Sequence, residues 1–253
     1  MKAGIVGLGA VGRAVSLAAV QRGSASELIL VNRNPKVSEA VALDLRYGMP
    51  LSATIRMRAG NYDALAGAGI VVITAGVNEK TGGATDRGDS AGRLRLLDQN
   101  IKVMQNLVPP LIAAAPEAVI LIATDPPDPL ADAVRFLAPG SKVFSTGTWL
   151  DSLRFRSHLA EAFGVSPRCV EANVLGEHGK SEVLHWPGAT LGGVPWKDVA
   201  AQLGINEAGL KERVDGAVRL ANINIIEGIG ASQYGIGIVI ARLIEAVLRD
   251  ESS

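Results

Sequence analysis

The chain reads as an α/β protein: a doubly wound parallel sheet followed by a mixed α/β domain. Three observations predict this. Short Val/Ile/Leu runs alternate with amphipathic stretches from the first residue, the order of repeated strand–helix–strand units. Most of those runs are apolar without alternation, as strands become when helices cover both faces of a sheet. A glycine-rich turn joins the first strand to the first helix. Composition agrees. Of 253 residues 48 % are hydrophobic and 20 % charged, a globular balance. At this length folding hides roughly 70 % of the extended surface, enough for one large domain or two unequal ones. Aromatics make up 4 %, so Val, Ile, Leu and Ala must build the core.

The elements follow in order. Strands are expected at 3–6, 28–31, 54–58, 70–74, 119–123 and 142–145. Helices are expected at 11–22, 36–46, 92–115 and 130–137, with Pro35 suited to a helix first turn. After about Gly147 the texture changes. A helix at 151–163 precedes strand-like pieces at 169–175 and 181–186, then helical stretches at 206–227 and 235–249. The expected division is 1–146 for the first domain and 147–253 for the second, with the last helix, 235–249, able to pack back on the first. The chain stops soon after that helix, which makes the second domain look incomplete at its C-terminus.

The first turn is Gly7-Leu8-Gly9-Ala10-Val11-Gly12. Between a strand and a helix this G-x-G-x-x-G pattern is the phosphate-binding turn of a Rossmann-type fold. Gly7 allows the tight turn, Gly9 lets the backbone approach a pyrophosphate, and Gly12 lets helix and strand pack closely. Ala10 and Val11 open the helix, whose free N–H groups and positive dipole end suit the anion. About 20 residues on, a ribose-binding carboxylate is expected; here stand Asn32-Arg33-Asn34. Asn32 accepts a hydrogen bond without repelling a 2′-phosphate, and Arg33 attracts one. NAD is therefore the expected cofactor, with NADP possible. In the alternative reading, Asn32 and Asn34 only cap the next helix.

Several further segments carry a resemblance: Ile73-Thr74-Ala75-Gly76, 92–100, Leu150-Asp151-Ser152-Leu153-Arg154-Phe155-Arg156, Gly176-Glu177-His178-Gly179 and 227–237. In this order the chain resembles the lactate/malate dehydrogenase family over nearly its whole length. The resemblance implies hydride transfer between NAD(H) and a small 2-hydroxy/2-oxo acid. It makes His178 the acid/base, a role suited to a group that titrates near neutrality. Asp151 becomes the carboxylate that orients it. Arg154 grips the substrate carboxylate with a planar fork, and Arg93 polarises the reacting carbonyl. Ser232 falls near the substrate, and Thr74, Ala75, Gly76, Asn100 and Thr146 near the cofactor. Without the resemblance, Asp151 and Arg154 read as an i,i+3 pair in a helix first turn.

The chain departs from the family pattern in two further places. Asp125, in Thr124-Asp125-Pro126-Pro127-Asp128, stands where an amide usually meets the substrate; it either lines the substrate site or serves as a turn residue. The active-site loop, 77–92, is longer than usual. Specificity for malate or lactate is set there, and Arg87 and Lys80 are its available cations.

The remaining features narrow the class. Lys+Arg and Asp+Glu both number 25, and the pI is about 6.8. That balance argues against nucleic acid or an anionic membrane as partner. No apolar run reaches the ~18–20 residues of a membrane helix, and the N-terminus lacks a signal-peptide pattern. The single Cys169 fits a reducing, cytoplasmic setting. No metal is expected, and relatives imply a homo-oligomer, dimer or tetramer. Two other classes remain at this stage: a non-catalytic dinucleotide-binding homologue or sensor, and an NAD-dependent glycosidase, which needs a Cys and His metal set.

Overall fold

The computed structural model describes residues 1–77 and 92–252, with side chains for all of these except Gly92 and Arg93. The larger sheet contains β1 (Lys2–Val6), β2 (Glu27–Val31), β3 (Arg56–Ala59), β4 (Ile70–Ile73), β5 (Val119–Ile122) and β6 (Val143–Ser145). All its pairings are parallel, and the order is β3-β2-β1-β4-β5-β6. The order reverses between β1 and β4, the point at which such sheets open a crevice at their carboxyl ends.

Alternation along each strand sends side chains to two cores. Ile5, Leu28, Leu30 and Val72 pack on one face with α1 (Ala10–Arg22), α2 (Pro35–Gly48) and α8 (Tyr234–Leu248). Val6, Ile29, Val71 and Ile73 pack on the other with α3 (Leu97–Ala114) and α4 (Pro127–Leu137). With both faces covered, β1, β2, β4 and β5 read as near-continuous apolar runs, whereas edge strand β3 alternates exposed Arg56 and Arg58 with buried Met57.

A third core lies in the second half, between α5 (Trp149–Phe163) and α7 (Glu207–Ile229). Phe155 meets Trp186 edge-on at 4.7 Å, and the Trp196 indole donates to the Trp186 carbonyl at 2.9 Å. Small antiparallel sheets flank this core. β7 (Val170–Glu171), β10 (Thr190–Leu191) and β11 (Val194–Pro195) form one, β8 (Val174–Leu175) and β9 (Val183–Leu184) the other. Expected strands at 169–175 and 181–186 are thus cut short: β7 and β8 pair with different partners, and the chain bends between them. Two features escaped the sequence reading. One is α6 (Trp196–Leu203); the other is the β10–β11 hairpin, whose Gly192-Gly193 loop has positive φ at both residues. The expected helix 92–115 also divides, into a 3-10 turn (Gly92–Leu96) and α3. Tight turns of this kind are common at helix N-termini. No single helix among the described residues is long and apolar enough to cross a membrane.

Helix α8 returns to the first sheet and lies against α1. A Cβ on Gly237 would come within 2.9 Å of the Ala14 backbone, so the close approach needs glycine there. The contact is locked by an ion pair. Arg22 Nε and Nη2 donate to Glu245 Oε1 and Oε2 at 2.7 and 2.9 Å, and Ser24 Oγ adds 3.0 Å. Burial pushes the Glu245 carboxyl up, but hydrogen bonds from Arg22 and Ser24 and the Arg22 charge together hold it below the usual range.

Glu245→Ala should therefore cost roughly 2 kcal/mol. That is less than the roughly 3–5 kcal/mol of a fully buried pair, because Arg22 is 39 % exposed and partly screened. A depressed folded-state pKa gives stability that is present above the ordinary Glu value and lost as pH falls through the folded value. Urea unfolding of the two proteins should thus differ at neutral pH and converge in acid; a constant gap would refute the ion-pair origin.

Candidate active site

The crevice begins at Gly7, whose φ of +99° turns the chain out of β1. A Cβ on Gly12 would sit 2.0 Å from the Gly7 carbonyl and 2.8 Å from Thr74 Oγ1, so the first turn of α1 presses directly on the loop. Around Gly9, by contrast, an added Cβ would meet nothing within 4 Å. The first turn of α1 carries no acidic residue and no side-chain cap, leaving N–H groups to face the cleft. That cleft is about 1130 Å³, lined by Gly7, Gly9, Asn32, Arg33, Thr74, Ala75 and Gly76 among others. Open backbone, a helix N-terminus and this volume fit a dinucleotide.

Several residues expected at the cofactor also brace the walls of the cleft. Asn32 Oδ1 accepts from the Leu8 N–H at 3.1 Å and its Nδ2 donates to the Asn34 carbonyl at 3.2 Å, so this amide braces the loop from β2. Asn34 caps α2, accepting from the Lys36 N–H at 3.1 Å. Thr74 Oγ1 donates to the Gly7 carbonyl at 2.6 Å. Asn100 has a bracing role that its motif did not announce. It is fully buried, with Oδ1 accepting from the Val77 N–H at 2.8 Å and Nδ2 donating to the Asp125 carbonyl at 2.6 Å. With both ends of its amide bound to main chain, it ties the end of β4 to the turn after β5.

Next to the cleft is a chamber of about 60 Å³, lined by Val11, Asp125, Thr146, Arg154, His178, Asn222 and Ser232 among others. Residues from both halves of the chain meet here. Asp151, in the first turn of α5, is 1 % exposed and accepts twice. Its Oδ1 takes Arg154 Nη1 at 2.8 Å, and its Oδ2 forms a short hydrogen bond with His178 Nδ1. Arg154 extends across the chamber, its Nη2 3.4 Å from Ser232 Oγ and 3.5 Å from Asn222 Oδ1. His178, Asp151, Arg154 and Ser232 are thus brought together. Asp125 shares the chamber lining, and Thr146 lies beneath it, its N–H donating to Ile122 at 3.0 Å. Arg93 contributes backbone to the 3-10 turn before α3. Arg87 and Lys80 lie outside the described residues.

Sequence reasoning missed three supports. Asp128 Oδ2 accepts the His178 backbone N–H at 2.8 Å, while its Oδ1 takes the Ser145 hydroxyl. Asn222 reaches Arg154 from α7. Glu182 lies buried behind His178, its carboxylate, that of Asp151 and the His178 ring all offering atoms within 4.8 Å of one another. Asp151 Oδ2 and His178 Nδ1 already bind each other, so the trio is arranged for handling protons. One signal was available: an acidic residue inside a strand-like apolar run, four residues after His178. The other histidines are away from the chamber lining; His158 pairs with Glu161 at 3.8 Å.

The arrangement sets an imidazole, bound by a buried carboxylate, beside a guanidinium and an open cleft, a set of groups able to hold and move a proton next to a bound anion. Comparison with known proteins agrees. Residues 1–143 match the family described as lactate/malate dehydrogenase, NAD binding domain, and residues 148–253 its alpha/beta C-terminal domain. An L-lactate dehydrogenase of Deinococcus radiodurans is 43 % identical over 252 residues, spanning 99 % of this chain and 80 % of the relative. One of Thermus aquaticus is 42 % identical over 254 residues, spanning 99 % and 79 %. Among solved structures, a lactate dehydrogenase from a Medee basin deep-sea metagenome library aligns with a TM-score of 0.88 at 32 % identity, over 100 % of this chain and 79 % of that one. The minor L-lactate dehydrogenase of Enterococcus mundtii gives 0.88 at 33 %, over 98 % and 77 %. The chain belongs to the lactate/malate dehydrogenase family and is an NAD-linked oxidoreductase of 2-hydroxy acids.

Proposed function

We propose that this chain interconverts lactate and pyruvate, with His178 as acid/base, Asp151 as its orienter and Arg154 as the clamp on the substrate carboxylate. The supporting observation is the Asp151 carboxylate that joins His178 to Arg154 at the edge of the cleft. NAD(H) in that cleft accepts or donates the hydride. In oxidation His178 takes the hydroxyl proton; in reduction it returns one to the forming hydroxyl. Asp151 fixes the ring so that Nε2 faces the chamber and stabilises the imidazolium. Arg93 polarises the carbonyl in this reading, which for that residue rests on its motif. The NAD-binding half ends at 146/147, and the chemistry is carried by the half that follows.

Two features favour a small monocarboxylate. The chamber, about 60 Å³, holds roughly four to six waters at about 10–15 Å³ each. Among the described residues Arg154 is its one guanidinium, already opposite the substrate carboxylate. A dicarboxylate needs a second cation, for which the sequence offers Arg87 or Lys80. Relatives named L-lactate dehydrogenase point the same way. The sensor and glycosidase readings are not favoured: the acid/base pair and clamp are assembled, and Cys169 is exposed on a 3-10 turn.

Self-association belongs to the same reading. Leu43, Tyr47 and Leu51, on and just after α2, are 46, 74 and 95 % exposed, an apolar patch that a second copy would cover. A reducing, cytoplasmic location completes it.

The deciding assay follows loss of reduced-nicotinamide absorbance with pyruvate, oxaloacetate and branched 2-oxo acids, each with NADH and NADPH. Pyruvate with NADH should turn over fastest; binding without turnover on every acid would leave the sensor. His178→Gln should lower kcat by about 10²–10⁴-fold while NADH still binds. Arg154→Lys should lower kcat/KM by about 10²-fold, roughly 2.7 kcal/mol, mainly through KM. Gly12→Ala should abolish NADH binding in a protein that still folds; unchanged affinity would contradict the cradle. Sedimentation should show a dimer or larger species that Tyr47→Asp weakens.

A further inference from the structure

A second carboxylate lies behind the His178–Asp151 pair with no task in the mechanism above. Glu182 is 3 % exposed. Its backbone leaves it little freedom to swing toward water. The Glu182 N–H donates to the Gly179 carbonyl at 3.2 Å, and its own carbonyl accepts from Arg219 Nη2 at 2.7 Å. Arg219 Nη1 also holds the Lys180 carbonyl at 3.0 Å, so the turn after His178 is fastened to α7. An oxygen of the carboxylate it carries, a carboxylate oxygen of Asp151 and a ring nitrogen of His178 all lie within 4.8 Å of one another. The charged groups around this point are Asp151 and Arg154 from α5 and Arg219 from α7. Asp128 from α4 adds its grip on the His178 N–H, and His178 and Lys180 belong to the turn itself. Two carboxylates and one imidazole in so small a dry space do not ionise independently.

We propose that Glu182 is a positioning residue that sets how firmly His178 holds its proton, and so couples the direction of catalysis to pH. This rests on His178 being the acid/base. When Glu182 is ionised, its negative charge stabilises the imidazolium and favours taking the proton from a hydroxy acid. When Glu182 carries a proton, the imidazolium is held less firmly and gives its proton to a 2-oxo acid more readily. The exchange needs no further reactant: the proton lies on Glu182, on His178 or in water. Burial first, then the Asp151 charge, push the Glu182 carboxyl up to about 7, against the pull of His178, Arg219 and the Gly179 N–H. The switch therefore operates near neutral pH.

The test is the pH dependence of kcat/KM for pyruvate reduction by wild type, Glu182→Gln and Glu182→Asp. Glutamine mimics the protonated state at every pH. Its alkaline limb should fall about half to one pH unit lower than in wild type and be governed by one group instead of two. Aspartate keeps the charge and should restore the wild-type limb. Superimposable profiles for wild type and Glu182→Gln would overturn the proposal, as would a uniform loss of kcat at all pH values, the mark of a purely structural role. A second measurement needs neither turnover nor the glutamine variant: the infrared carbonyl band of a buried protonated carboxyl should titrate near pH 7 in wild type and change frequency in Glu182→Asp. Absence of that band overturns the proposal on its own. Failure of wild type to reduce any 2-oxo acid would instead remove the acid/base reading, with the infrared result still deciding the state of Glu182.

Discussion

The site depends on one buried anion. Asp151 is 1 % exposed, and an isolated carboxylate in that position would be protonated or would disrupt the packing around it. Here both of its oxygens have partners. Arg154 supplies one from the next turn of the same helix, and His178 supplies the other from a loop 27 residues on. The N-terminal end of α5 adds the favourable end of the helix dipole. Each partner is thereby placed by the need of the other two. The guanidinium is held with its far nitrogen across the chamber, and the imidazole is fixed through its Nδ1. The local i,i+3 pair and the catalytic pair are the same interaction seen at two scales.

Holding that anion against the cofactor cleft requires the two halves to stay in register. The chamber lies on their seam: Val11 opens α1, Ile236 belongs to α8, Thr146 follows β6, and Arg154 and His178 come from the second half. Helix α8 closes the circuit. It leaves the substrate half after Ser232, packs on α1 through Gly237 and is fastened there by Glu245 and Arg22. Asp128 makes a second tie, since a residue of α4 grips the main chain of His178. A shift of either half would therefore move the histidine, the fork and the phosphate loop relative to one another.

Much of this could be read from the chain, and the division between legible and hidden is physical. The inner strands β1, β2, β4 and β5 were legible because burial on both faces favours uninterrupted apolar residues. The phosphate turn was legible because Gly7 and Gly12 approach neighbouring backbone so closely that an added Cβ would force it to shift. His178, Asp151 and Arg154 were legible because their side chains stand in recognisable motifs. The supports were not. Asn100, Asn32, Asp128 and Arg219 bind main-chain N–H and carbonyl groups of residues far away in sequence, and every residue offers those groups. No pattern of residue types announces such a strut, so the bracing role of Asn100 was hidden. Pairing was equally hidden in the second half. Whether 169–175 is one strand or two depends on which neighbours β10 and β9 prove to be.

The charge arrangement of the chamber also explains why a carboxylate such as Glu182 is tolerated so close to Asp151. In the proposed reaction the substrate is itself an anion, and Arg154 answers both it and Asp151. If Glu182 were permanently ionised, it would compete for the same positive charge and oppose substrate entry. If it were replaced by an apolar group, the imidazolium would lose the field that retains its proton between turnovers. A carboxyl near its titration point avoids both extremes, because it takes up a proton as the chamber becomes more negative and releases one as His178 becomes positive. The Gly179–Glu182 turn, pinned by Arg219, keeps that carboxyl close enough to respond and dry enough to titrate near neutrality.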